Sequence, residues 1–260
     1  MVASVQSIKR ADHISDAEWD VRVNLAAAYR LIDLNGWSDG IGTHVSARVP
    51  GPDNHFLLNP YGMLFDEITA SCLIKVDTEG NAIDDSDYQV NPAGFTIHSA
   101  VHMSNHDLAC VMHTHTTAGT SVATQKGGLL PINQHALAVT YTTGYHDYEG
   151  PATDHDERAR IVEDLGDNRI LILRNHGLLT VGRTIGEAFV WMYRAERACR
   201  MQLAFQQTGA ELYPISEEVQ KISIERGRQF NSGNGHRPTG KLEWPAWLRK
   251  LDRIDPSYKN

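Results

Sequence analysis

Apolar positions Trp19, Val23, Leu25, Ala26, Leu31 and Ile32 recur at helical spacing behind Ser15-Asp16-Ala17-Glu18, whose serine and glutamate stand at capping-box distance. The pattern predicts a helix from residue 15 that stops at Asn35-Gly36. Short β-type runs at 45–49 and 56–58 flank the turn Pro50-Gly51-Pro52-Asp53-Asn54 and predict a hairpin, followed by a strand at 72–77. Asn91-Pro92 reads as an N-cap with proline at the first helical position, opening a helix through Phe95, Ile97, Ala100 and Val101. The run Asp107-Leu108-Ala109-Cys110, with no glycine or proline, leads a buried strand into Val111-Met112-His113-Thr114-His115-Thr116. A short helix is expected at 116–126, strand candidates at 129–132 and 137–139 around His135, and a charged helix at 154–165. Strands follow at 170–173 and 178–181, and a second capping box, Thr184-Ile185-Gly186-Glu187, starts the longest helix, which Gly209 ends.

Strands interleaved with helices, through hairpins as well as crossovers, predict an α/β fold: a layered domain with a central, largely antiparallel mixed sheet flanked by helices. The expected organisation is a loose arm at 1–14, one domain at 15–209, and an extension at 210–260. The apolar knot Trp244-Pro245-Ala246-Trp247-Leu248 should pack that extension on the domain or on a neighbouring subunit.

A chain of 260 residues with 41% hydrophobic residues buries a substantial core. A formal net charge of −8, without any lysine- or arginine-rich run, argues against nucleic acid or an anionic membrane as partner. No apolar stretch reaches the roughly 18 residues that span a bilayer. The N-terminus lacks the charged-then-apolar order of a signal peptide, so a cytoplasmic location is expected. Cys72, Cys110 and Cys199, an odd and widely spaced set, read as free thiols.

Side chains on a strand share a face at every second residue, so His113 and His115 present two imidazoles to the same side. A third is offered by Asn175-His176-Gly177, where the second strand turns. Three neutral imidazoles suit a divalent ion, zinc in the first place with manganese, iron or cobalt as alternatives, and leave a position open for water or substrate. His98 and His102, at i,i+4 on one helical face, have chelating spacing too, but lack the glutamate of a zinc-hydrolase motif. His98 is therefore expected to pack near the site and His102 to be partly exposed. The pair Gly40 and Gly42 follows a helix rather than a strand and lacks a third glycine, which excludes a dinucleotide fingerprint.

Together, His113-Thr114-His115, Leu173-Arg174-Asn175-His176-Gly177-Leu178, Gly42-Thr43-His44-Val45-Ser46 and Asn59-Pro60-Tyr61-Gly62 resemble the class II aldolase/adducin family over roughly residues 17–208. The 31–38, 91–100 and 145–148 segments resemble its adducin-head branch. The resemblance implies a homotetramer with active sites near subunit contacts. It also implies a metal on His113, His115 and His176. The family's aldolases carry Ser-Ser-Glu before the His-x-His strand, for phosphate and for proton transfer; here Pro92, Ala93 and Gly94 align with it. The Gly-Asn-x-Ser phosphate loop becomes Thr43-His44-Val45-Ser46, and the tyrosine expected after the Pro-Ile strand is replaced by His135.

These replacements point away from a phosphorylated ketose. They leave proton transfer to His135 or His44, since imidazole titrates near neutrality. Ser46, Tyr61 and Arg174 are the candidate substrate contacts, Arg174 for a carboxylate. The expected activity is metal-dependent C–C cleavage, of aldolase or decarboxylase type, through a metal-stabilised enolate on a small unphosphorylated hydroxy-carbonyl or carboxylate substrate. A non-catalytic, adducin-like assembly module is the alternative. An iron-dependent oxygenase on the same histidines is a further one.

Overall fold

The computed structural model describes residues 14–51, 54–83, 88–150 and 156–260, with backbone alone at 92–96. The expected arm apart from Ile14, the centre of the 50–54 turn, His155, and the side chains of Pro92 and Ala93 lie outside the described residues.

Ser15 accepts the Glu18 N–H at 3.1 Å and starts α1 (Asp16–Leu34), which ends where Gly36 adopts φ 69°. The hairpin β1 (His44–Arg48) and β2 (Phe56–Leu58) follows, then β3 (Ile74–Val76) and α2 (Pro92–Ser104). β4 (Cys110–Thr114) leads into α3 (Thr117–Ala123), capped by Thr116. After α4 (Gln134–Thr140), β5 (Thr143–His146) and α5 (Glu157–Leu165), the hairpin β6 (Ile170–Leu173) and β7 (Gly177–Gly182) runs into α6 (Ile185–Gln207), capped by Thr184. α7 (Glu217–Asn231), α8 (Glu243–Ile254) and a 3₁₀ turn at Pro256–Lys259 complete the chain.

The seven strands form one mixed sheet in the order β3-β2-β1-β4-β7-β6-β5, antiparallel throughout except for the parallel pair β5–β6. Helices cover both faces. One core joins Val45, Met112, Ile172 and Leu178 of the sheet to Leu25, Ala28 and Ile32 of α1 and to Ala188, Phe189 and Met192 of α6. On the opposite face Val111, Leu171, Leu179 and Val181 meet Ile97 and Val101 of α2 and Ile161 and Leu165 of α5. Strand alternation places His44, Ser46 and His113 on the α2 side, the same side as Val111.

The strand candidates at 129–132 and 137–139 are not strands. Asn133 accepts the Ala136 N–H at 3.0 Å and opens α4. Ala136 and Val139 then bury on the α1/α6 side. An apolar run of three does not distinguish helix from strand, and here a polar cap decided it. The strand of this region is β5, held beside β6 in the register His146 to Leu173.

In the C-terminal segment, Trp244 and Trp247 of α8 each stand 5.5 Å from Phe189, and Trp244 Nε1 donates to Asn24 Oδ1 at 2.7 Å. The last residues bond backbone to backbone with the 70–71 loop, Ala70 to Tyr258 and Ser71 to Asn260, each at 2.9 Å. The three cysteines are free thiols. No helix among the described residues is long and apolar enough to cross a membrane.

Candidate metal centre

The three histidines named by strand spacing and by the β6–β7 turn converge. Nε2 of His113 lies 2.7 Å from Nε2 of His115 and 3.3 Å from Nε2 of His176, and the latter two are 2.9 Å apart. His113 is the last inward position of β4, whose pairing with β1 and β7 fixes it opposite His44 on one side and Leu179 on the other. His115 lies just past the strand. His176 is aimed by a turn in which Asn175 takes φ 58°, a left-handed conformation that asparagine tolerates.

Gly177 leaves that turn so close to β4 that a Cβ would overlap the Thr114 carbonyl oxygen and crowd the His115 ring. Gly177→Ala is therefore expected to lower the unfolding free energy by about 3 kcal/mol, as overpacking does, and to displace His176. Urea unfolding read alongside metal content checks both effects.

Hydrogen bonds decide which nitrogen each ring offers. His113 Nδ1–H donates to the Leu178 carbonyl at 3.0 Å, and His115 Nδ1–H to Asp39 Oδ2 at 3.1 Å. In neutral rings the two Nε2 atoms are then bare lone pairs, which cannot hydrogen-bond to each other. They repel unless a cation lies between them. Ligands about 2.0–2.1 Å from a tetrahedral zinc stand about 3.3 Å apart; the His113–His176 separation matches this, and the other two, at 2.7 and 2.9 Å, are shorter. Burial holds His113 well below the usual imidazole range, and burial followed by His115 and His146 brings His176 to about 4, so both stay neutral and available to a metal. Among the described residues this is the group of three or more potential ligands whose donor atoms converge.

Asp39 is 59% exposed, so its contact with His115 orients rather than stabilises. Asp39→Asn is expected to weaken zinc binding by about tenfold, the lower end for groups that orient a ligand, with folding unaffected; competition against a chromogenic chelator measures it.

The other candidate residues separate. His44 is buried beside the cluster, its ring 5.3 Å from that of His113 and 4.6 Å from that of His98. Burial, then the neighbouring His115 and His176, pushes its imidazole to about 3. Ser46 is fully buried, and its hydroxyl is engaged by His98 at 2.6 Å and His102 at 2.7 Å. His135 is exposed on α4, where partial desolvation and then Arg197 lower its imidazole, and no contact joins it to the cluster within the described chain. Tyr61 is 44% exposed and has no bond to the cluster. The Arg174 guanidinium lies 4.2 Å from the centre of the Tyr145 ring and donates to the Gln125 carbonyl at 2.9 Å.

His102 departs from expectation: it is buried rather than partly exposed, stacked 4.5 Å from the Phe56 ring. His146 is buried too, between Asp164 Oδ2 at 2.8 Å and Glu157 Oε1 at 3.2 Å. Sequence reading also missed Asp39, and Tyr148, whose ring stands 6.3 Å from that of His176. No local motif marks either, because both reach the cluster only through the fold.

Comparison with known proteins shows the family and the fold. The family model described as Class II Aldolase and Adducin N-terminal domain matches residues 23–203. An aldolase II superfamily protein from Pseudomonas syringae superposes with a TM-score of 0.89 at 49% identity, covering 96% of this chain and 98% of its own. The L-fuculose 1-phosphate aldolase from Glaciozyma antarctica PI12 superposes with a TM-score of 0.81 at 26% identity, covering 97% of each chain. Alpha-adducin of Mus musculus is 39% identical over 98% of this chain, which corresponds to 36% of the adducin. With that model matching residues 23–203 and the Pseudomonas structure superposing on 96% of the chain at 49% identity, the chain belongs to the class II aldolase and adducin family.

Proposed function

We propose that this protein is a metal-dependent lyase that cleaves a C–C bond, by retro-aldol reaction or decarboxylation, in a small unphosphorylated hydroxy-carbonyl or carboxylate substrate. The observation that carries the reading is the convergence of three Nε2 lone pairs, two of them fixed by Nδ1–H bonds to Leu178 and Asp39. His113, His115 and His176 would hold a divalent ion, zinc in the first place; when bound, it supplies a Lewis acid that polarises a substrate carbonyl. His44, adjoining the cluster, handles the proton in preference to the exposed His135. Arg174 and Tyr61 are the remaining candidate substrate contacts, and Ser46 supports the site from behind. We further place the protein in the cytoplasm as a homotetramer, on family membership and composition.

The Glaciozyma relative is by name a sugar-phosphate aldolase, whereas this chain has His44 and Ser46 in the aligned phosphate loop, with the Ser46 hydroxyl already occupied. That favours an unphosphorylated substrate. The adducin relative supports a second reading, a binding module without catalysis. Zinc titration followed by a turnover screen of hydroxy-carbonyl acids and phosphorylated ketoses separates them. The lyase reading expects one tight zinc per chain and turnover confined to the unphosphorylated set. No zinc binding, or turnover of ketose phosphates alone, would sink it.

A further inference from the structure

Behind His44 lies a continuous buried chain of hydrogen bonds. His44 Nδ1 meets His98 Nε2 at 2.8 Å, His98 Nδ1 meets Ser46 Oγ at 2.6 Å, Ser46 Oγ meets His102 Nε2 at 2.7 Å, and His102 Nδ1 meets the Leu108 carbonyl at 3.1 Å. All four side chains are buried, between 0% and 4% exposed, and among the described residues no carboxylate bonds to any of them. His98 and His102 come from α2, His44 and Ser46 from β1, so packing the helix on the strand assembles the chain.

Its direction is set at the far end. A carbonyl oxygen only accepts, so His102 carries its proton on Nδ1 and, being neutral, offers a lone pair at Nε2. The Ser46 hydroxyl donates to that lone pair and accepts from His98 Nδ1–H. Were His102 cationic, its Nε2–H would donate to Ser46, the Ser46 proton would pass to His98 Nδ1, and the chain would run the other way; burial, which pushes His102 to about 3, keeps the ring neutral. His98 in turn offers Nε2 to His44 Nδ1–H. Each link transmits the same polarity, and the last ring nitrogen, His44 Nε2, is left unprotonated and without a partner among the described residues, beside the metal ligands.

We propose that the chain Leu108–His102–Ser46–His98 fixes His44 as an Nε2 hydrogen-bond acceptor, so that the site recognises a substrate hydroxyl at this point and rejects an oxyanion such as phosphate. A lone pair rewards an O–H donor and repels an anion that brings only acceptors. Ser46, His98 and His102 are positioning residues. The substrate half rests on the lyase reading above, while the tautomer half stands without it.

Neutron diffraction from deuterium-exchanged crystals of the full chain tests the tautomer. Deuterons are expected on Nδ1 of His44, His98 and His102, and none on Nε2 of His44; a deuteron on His44 Nε2 overturns the proposal. Recognition is tested by calorimetric titration of the zinc-loaded protein with lactate and with 2-methoxypropionate, its O-methyl ether. Ser46→Ala cuts the chain, freeing His98 and His44 to reverse, and should shrink the preference for lactate by about tenfold at unchanged zinc stoichiometry. An unchanged preference in S46A overturns the recognition claim. Failure of the wild type to take up zinc sinks the lyase reading, and the neutron result still decides the tautomer.

Discussion

His113→Ala is expected to yield a folded protein that retains almost no zinc through gel filtration and shows no turnover above background. The residue is buried at the centre of the cluster, and its Nε2 is within 3.3 Å of both other donors, so its loss leaves only two half-buried ligands. A two-histidine remnant binds zinc orders of magnitude more weakly than a closed set. The direct structural cost is smaller, about 2 kcal/mol for truncating a buried side chain. Metal analysis by mass spectrometry, with circular dichroism as the folding control, reads both. His135→Ala is the matched comparison: an exposed position on α4 should leave zinc content and stability unchanged. If the H113A protein retained wild-type zinc, the assignment of the centre would be wrong.

The second large effect is acid lability. His44 and His102 are pushed to about 3 and His98 is also lowered well below its usual range, in each case first by burial. In the unfolded chain these rings titrate near 6.5. Below that pH the unfolded state binds more protons than the folded one, so stability is full above about pH 6.5 and declines as pH falls towards the folded values. Each histidine removes up to about 1.4 kcal/mol per pH unit, with the slope reached only below the unfolded pKa, so three of them cost about 5 kcal/mol between pH 6.5 and 5. That is comparable with the whole stability of a typical domain. Carboxylates contribute little in this window because they titrate near 4. Urea unfolding of chelator-treated protein at pH 7.5, 6 and 5 should show the decline. A flat profile would mean that these rings are not buried and neutral together.

The convergence of candidate metal ligands was legible in the sequence for two of the three because strand periodicity is local: His113 and His115 share a face whatever else the chain does. The capping serine of α1 and threonine of α6 were equally legible, since a cap acts within one turn. The region around His135 was not, because Leu137-Ala138-Val139 suits either element and the Asn133 cap decided for a helix. His98 and His102 show a different limit. Their i,i+4 spacing was visible, but whether they chelate, face solvent or relay hydrogen bonds depends on which strand α2 lies against.

By itself, then, the sequence determined most of the elements, the layered α/β class and three candidate metal ligands, since each is encoded by short-range periodicity, caps and turn chemistry. Tertiary structure alone decided that β4 lies between β1 and β7, which sets His44 beside His113. It alone brought Asp39 to His115, and Ser46 between two histidines of α2. Those contacts join residues from about fifty to more than seventy positions apart, a distance over which no local pattern carries information. The pair His113 and His115 therefore marks the candidate centre. The buried chain that ends at His44, legible only in three dimensions, defines what kind of substrate group the centre is built to meet.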